Sequence, residues 1–313
     1  MSEIALLMSV LMAIIAASTP LVFAAVGELV VEKSGVLNLG VEGMMIMGAV
    51  LGFGITVVTG SVTLGIIAGA LGGALTAAIF GYLTLYLLSN QVATGLALTL
   101  FGIGLSALIG IPFVGKSLER LPQIHIPGLS DLEFYGIEIG RLLFGQDVLV
   151  YLSIVSVIGV AWFLNKTRAG LILRAVGENH DAAHSIGHQV VLVRFAAVLF
   201  GGAMAGIGGA YLSIAGTPLW VENMVAGRGW IALALVVFSA WRPWRALLGA
   251  YLFGGITIIQ LHAQGFGIDI PGQFLSMLPY AATIIVLMII SRDATRAKLN
   301  APACLGKVFH ATA

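Results

Sequence analysis

Long apolar runs alternate with short polar breaks along nearly the whole chain, and these runs define its elements. They cover residues 4–26, 44–58, 62–88, 92–111, 148–164, 190–214, 246–261 and 274–290, with a shorter run at 229–241. A helix crossing a hydrocarbon core of about 30 Å takes about 20 residues, and most of these runs approach or exceed that length. A helix also satisfies its own backbone hydrogen bonds, as lipid requires. The pattern therefore predicts an all-α polytopic transmembrane bundle of about nine helices. The range is eight to ten, because a broken or re-entrant segment would fit at 27–42. No linker divides the chain, so 1–313 reads as one transmembrane domain.

The polar breaks give the orientation. Residues 166–188 lie between two spanning runs and carry Lys166, Arg168 and Arg174. Basic residues concentrate in cytoplasmic loops, which puts this loop inside. Asn179 or Asp181 is placed to cap a short helix through 182–186, with Gly187 as its stop. Ala182, Ala183 and Ile186 then form a small apolar face, as a docking element for a soluble partner would. The plainer reading is a solvated connection. The loop 112–147 holds three prolines (Pro112, Pro122, Pro127) and more acids than bases, so it belongs outside. There an amphipathic helix lying on the membrane would fit, as part of a receptor-docking surface. The whole assignment places Lys33, Lys166, Arg168, Arg174, Arg194, Arg242, Arg245, Arg292, Arg296, Lys298 and Lys307 inside. Only Lys116, Arg120, Arg141 and Arg228 fall outside. The N-terminus is then external and the tail 291–313 cytoplasmic. Only Glu3 precedes the first run, so it reads as a retained helix rather than a cleaved signal, which would want a basic start.

Composition narrows the function classes. Of 313 residues 59% are hydrophobic and 9% charged, against roughly 25% charged in a typical soluble domain. Mean hydropathy is +1.05. A net charge of +1 gives no reason to expect a nucleic-acid partner. The single cysteine excludes an internal disulfide framework, and the scattered histidines suggest no metal site. The 41 glycines suit closely packed membrane helices. Gly65, Gly69 and Gly73 recur at four-residue spacing, and Gly202, Gly206 and Ala210 repeat it. No phosphate-cradling G-x-x-x-x-G-K-[ST] loop is present, so energy from ATP would have to come from another subunit. Neither H-E-x-x-H nor G-x-S-x-G surrounds His262 or Ser276. No catalytic residues, bound cofactor or enzymatic activity are expected of this chain.

A solute path needs polar groups inside the bundle. The candidates are Asn38, Glu42, Asn90, Gln91, Thr94, Asn223, Arg228 and Trp230. Amides donate and accept hydrogen bonds, which suits the hydroxyls of a ribose or hexose, and Trp230 offers a stacking face. Each has a local alternative: Asn90 and Gln91 as a helix end, Trp230 as an interface anchor. Trp241–Arg242–Pro243–Trp244–Arg245 reads as a basic, aromatic cytoplasmic boundary.

Several stretches carry a resemblance. The segments SGVLNLGVEGMM, QVATGLALTL, LRAVGENHDAAHSIG with FAAVLFGGAMAGIGGAYL, and GRGWIALALVVFSAWRP resemble ABC-importer permeases. The group is the nucleoside and simple-sugar permeases (branched-chain amino acid/ribose permease-like) that work with basic-membrane-protein-type lipoprotein receptors. His180 departs from it where proline is common, and His188 where an apolar residue is common. The resemblance implies a coupling helix seated in a groove of an ATPase subunit, involving Arg174, Gly177, Glu178, Asn179, Ala182, Ala183, Ile186 and Gly187. It implies further partners: a second permease, related or identical, and an external solute-binding lipoprotein or periplasmic protein. ATP and Mg would sit on the ATPase. The implied setting is a bacterial inner membrane, and the implied solute a nucleoside, with a simple sugar as the alternative. A stand-alone secondary carrier would instead show a mid-span ionisable relay or inverted repeats.

Overall fold

The computed structural model describes residues 3–124, 127–128, 130, 139–265 and 300–310, with isolated positions between 274 and 288. These form an all-α bundle. Its helices are α1 (Glu3–Lys33), α2 (Val41–Thr59), α3 (Val62–Gly81), α4 (Gln91–Gly110), α5 (Ile139–Phe144), α6 (Val148–Lys166), α7 (Arg168–Glu178), α8 (His180–Ser185), α9 (Val190–Tyr211), α10 (Arg228–Phe238) and α11 (Pro243–Gly265). A single π turn extends α3 through Tyr86 and α9 through Gly216. Seven helices among the described residues are long and apolar enough to cross a membrane. More than half of the run at 274–290, and residues 125–126, 129 and 131–138 of the outer segment, fall outside the described residues.

Small residues bring the central helices together. α2 is surrounded by α3, α4, α9 and α10, and most of it is buried. The two glycine rows meet there: Gly73 faces the backbone of Gly202 and Gly206, while Gly69 faces Ala210 and Gly206. A methyl group on Gly206 would collide with the carbonyl of Gly69. Gly206→Val is therefore expected to destabilise the bundle by about 1–3 kcal/mol, the usual cost of overpacking. Gly104 faces open space, so Gly104→Ala serves as the control. Melting of the two detergent-purified variants would show the first lowered and the second unchanged.

Two boundaries differ from the sequence reading. α1 does not end at residue 26 but runs through Lys33, carrying Glu28 and Glu32 into the interior at 1% and 2% exposure. The loop 166–188 is two helices rather than one. α7 is amphipathic, burying Leu173 and Val176. α8 is the expected short helix: the Asn179 side chain accepts from the Ala182 amide at 3.0 Å, and Gly187 closes it at φ +91°.

The apolar face expected of α8 is split. Ala183 is buried at 3% against Val176, Val190 and Phe309, whereas Ala182 and Ile186 point outward. The cause is the tail, whose Phe309 ring lies 5.3 Å from both His180 and His184. Ala183 therefore cannot offer its methyl to an external groove in this arrangement. Trp241 also departs from expectation. It is buried, and its indole N–H donates to Glu32 Oε2 at 2.7 Å, leaving Trp244 as the exposed aromatic of that boundary.

Candidate solute path

The seventh apolar run is too short to span because it forms only half a crossing. α10 has 11 residues, about 16 Å of helix at 1.5 Å per residue. Upstream, residues 217–227 descend as irregular backbone. Their start is fixed at the far end of α4, where Leu118 N–H donates to Pro218 O at 2.9 Å and Trp220 packs on Gly110. Three residues in the left-handed region, Asn223 (φ 56°), Ala226 (φ 50°) and Gly227 (φ 86°), then turn the chain into α10.

Glu42 receives the start of that half-helix. Gly227 N–H donates to its Oε1 at 2.7 Å and Gly229 N–H to its Oε2 at 2.6 Å. A helix start leaves four amides without intrahelical partners and carries partial positive charge. The Glu42 carboxylate thus caps α10 from another helix. Close approach requires glycine at 229, because a Cβ there would lie 2.6 Å from the Glu42 backbone. The depth follows from α4: Gly43 packs on Leu98 and Thr99, about two turns or 10 Å in from the start of α4. This junction therefore lies within the membrane-spanning part of the bundle.

Asn38 and Gln91 organise the loop 34–40 that leads into α2. Asn38 Nδ2 donates to Glu28 Oε2 at 3.1 Å, and its Oδ1 accepts from Gly40 N–H at 3.0 Å. Gln91 Oε1 accepts from Leu37 N–H at 2.8 Å, and Thr99 Oγ1 donates to Leu39 O at 3.2 Å. Glu28 Oε1 and Gln91 Nε2 are buried without a hydrogen-bond partner among the described residues. An unpartnered buried polar atom is costly.

The structure joins some of the predicted residues and separates others. Asn38 and Gln91 both hold the loop 34–40, and Glu42, just after that loop, holds the start of α10. Arg228 folds back on its own loop, its Nη1 donating to Met224 O at 2.9 Å and Val225 O at 3.1 Å. Asn223 and Glu222 are exposed, and Trp230 is 36% exposed. Asn90 and Thr94 are engaged locally: Asn90 caps α4 through the Ala93 amide at 3.0 Å, and Thr94 pairs with Ser89 at 2.8 Å. Of the residues expected at the coupling loop, Gly177 is buried, with its carbonyl accepting from Cys304 N–H at 2.9 Å. Glu178 is exposed, its Oε2 3.4 Å from Ala303 N. Arg174 is half-buried, with Nε lacking a hydrogen-bond partner among the described residues.

Glu28, Glu32 and Thr99 belong to the same buried region, and the sequence pattern does not single them out as site residues. Glu28 and Glu32 stand one helical turn apart, a spacing readable from sequence. Their partners are 10 and 209 residues away and leave no local signal.

Comparison with known proteins agrees with this architecture. A family model described as "Branched-chain amino acid transport system / permease component" matches residues 10–290. A putative glucose ABC transporter permease protein of Haloferax volcanii is 39% identical over 94% of this chain and 94% of its own length. A nucleoside ABC transporter permease protein of Lactococcus lactis is 36% identical, covering 90% and 92%. A guanosine ABC transporter permease protein of Bacillus subtilis is 31% identical, covering 86% and 88%.

Proposed function

From the premise that the chain belongs to this ABC-transporter permease family, we propose that it forms the solute path of a nucleoside importer driven by a separate ATPase. The observation that carries the reading is the half-helix. Irregular backbone at membrane depth persists only where it is buried in protein or lines a water-filled cavity, and here Glu222 and Asn223 are exposed beside it. Discontinuous helices of this kind hold solutes in transporters. Asn223 offers an amide and Trp230 a ring face to a ribose and its base, while Glu42 holds α10 in place. The two relatives named for a nucleoside and for guanosine support that solute. A simple sugar is the second reading, supported by the Haloferax relative.

In this reading α7 and α8 face the cytoplasm, and the outward Ala182 and Ile186 contact the ATPase. The N-terminus is external, the tail internal, and the membrane a bacterial inner membrane. The complete transporter holds a second permease, related or identical, and an external solute-binding protein. ATP and Mg are bound by the ATPase, and this chain binds no cofactor or metal of its own.

ATP hydrolysis by the reconstituted complex, titrated with nucleosides and with glucose, separates the solutes. Stimulation by nucleosides alone is expected. Stimulation by glucose alone would transfer the assignment to the sugar reading.

A further inference from the structure

Arg194 is one of the largest fully buried side chains in the protein, at 1% exposure, and it lies inside an apolar run at the start of α9. Its guanidinium joins three separate pieces of chain. Nε donates to Ser34 O at 3.1 Å, at the end of α1; Nη1 donates to Lys307 O at 3.1 Å, on the tail; and Nη2 lies 3.0 Å from His180 Nδ1, on α8. Gly35, at φ +91°, leaves the room this needs, since a Cβ there would lie 2.8 Å from Nη2. The tail closes the junction from the other side, with Gly306 N–H donating to Gly35 O at 3.0 Å.

The chemistry of the third contact fixes a proton. An arginine has no acceptor and stays charged, so His180 must accept at Nδ1 and carry its hydrogen on Nε2. That nitrogen lies 3.7 Å from Asp181 Oδ1. A protonated His180 would have no lone pair for Arg194 and would oppose it as a like charge.

We propose that Arg194 is a positioning residue that fastens α8 to the loop 34–40 through neutral His180, so that motion of α8 reaches Asn38 on that loop and Glu42 just beyond it. The inference rests on the reading of α8 as the ATPase contact. It differs from that reading in naming the link between the contact and the path. Ser34 begins the loop that carries Asn38, and Glu42 follows directly, so a displacement of α8 is passed to the cap of α10 by a short chain of bonds. The groups facing His180 are Arg194 on α9, Lys307 on the tail and Asp181 on its own helix. Burial and then Arg194 hold the imidazole below its ordinary value of 6.5, against the weaker opposing pull of Asp181. The junction is therefore intact above the ordinary value. It is lost as pH falls through the depressed one, because released His180 takes up the proton more readily than docked His180.

The test is the ratio of solute imported to ATP hydrolysed by vesicles holding the complete transporter, from about pH 7.5 to about pH 5.5, a range that spans ordinary histidine titration. The wild-type ratio is expected to fall severalfold on acidification. His180→Gln keeps a neutral acceptor and should keep the ratio within twofold at both ends. His180→Phe and Arg194→Met should lower it severalfold at neutral pH while ATP hydrolysis continues. His180→Phe retains an aromatic ring against Phe309, so it carries the test if Arg194→Met fails to accumulate. A wild-type ratio in His180→Phe, or an acid fall that persists in His180→Gln, would overturn the proposal. Ile186→Asp, measured alongside, addresses the underlying reading. If it leaves ATPase retention intact, that reading fails; if it alone uncouples, only the Arg194 link fails.

Discussion

Replacing Glu42 with leucine is expected to reduce uptake on the order of a hundredfold or more while the chain still inserts. Each amide bonded to the carboxylate is a charge-assisted contact, contributing about 1.5–3 kcal/mol. Two such contacts hold the start of α10, Gly227 to Oε1 and Gly229 to Oε2. Leucine nearly matches the volume but accepts neither, so the amides would be orphaned at membrane depth, where no bulk water replaces the bond. The half-helix would then settle elsewhere, taking Arg228 and Trp230 with it. Glu42→Gln keeps one acceptor oxygen and should lie between wild type and Glu42→Leu. Initial rates of labelled-nucleoside uptake, normalised to the amount of chain in the membrane, provide the comparison. Wild-type uptake by Glu42→Leu would mean that the cap does not govern the path.

Ile186→Asp is expected to abolish retention of the ATPase and with it essentially all ATP-driven uptake. Ile186 is 73% exposed just past the end of α8, and in the proposed reading it is the apolar side chain that α8 presents to the ATPase. Apolar anchors fully desolvated in a partner's pocket dominate interface energies, and an aspartate there would be buried without a partner charge. Ala183→Arg does not test the same point. Ala183 packs inward under Phe309, so an arginine would disrupt the chain's own junction. Detergent extraction followed by pull-down of the ATPase, run beside uptake, reads both outcomes. Full retention together with full uptake would remove α8 from the ATPase interface.

Much of this architecture is legible in the amino-acid sequence, because membrane helices declare themselves by length and apolarity. The runs at 62–88, 148–164 and 190–214 need no partner to be recognised. The cap of α8 is also readable, since Asn179 and Gly187 each act through a neighbour three residues away. What escapes depends on distant contacts. Nothing local to Glu28 and Glu32 shows what they face, because the groups bonded to them, Asn38 and Trp241, come from other elements. Trp241 reads as an interface anchor for the same reason. Ala183 reads as part of an outward face because nothing in residues 179–187 shows that Phe309 covers it. Arg194 reads only as a base on the cytoplasmic side. A lone arginine in an apolar run is a recognisable signal of a buried polar junction, but its three partners lie on three different segments. At 223–230 the residue types point to a path, while the half-helix that gives them meaning emerges only when Glu42 is seen against α10.

The most direct measurement of the central claim is nucleoside accumulation by sealed vesicles of two compositions. One holds this chain with its second permease, ATPase and external solute-binding protein; the other holds this chain alone under an imposed proton gradient. The account predicts accumulation only in the first, and only with ATP supplied on the ATPase side. Concentrative uptake by the chain alone, without ATP, would contradict it.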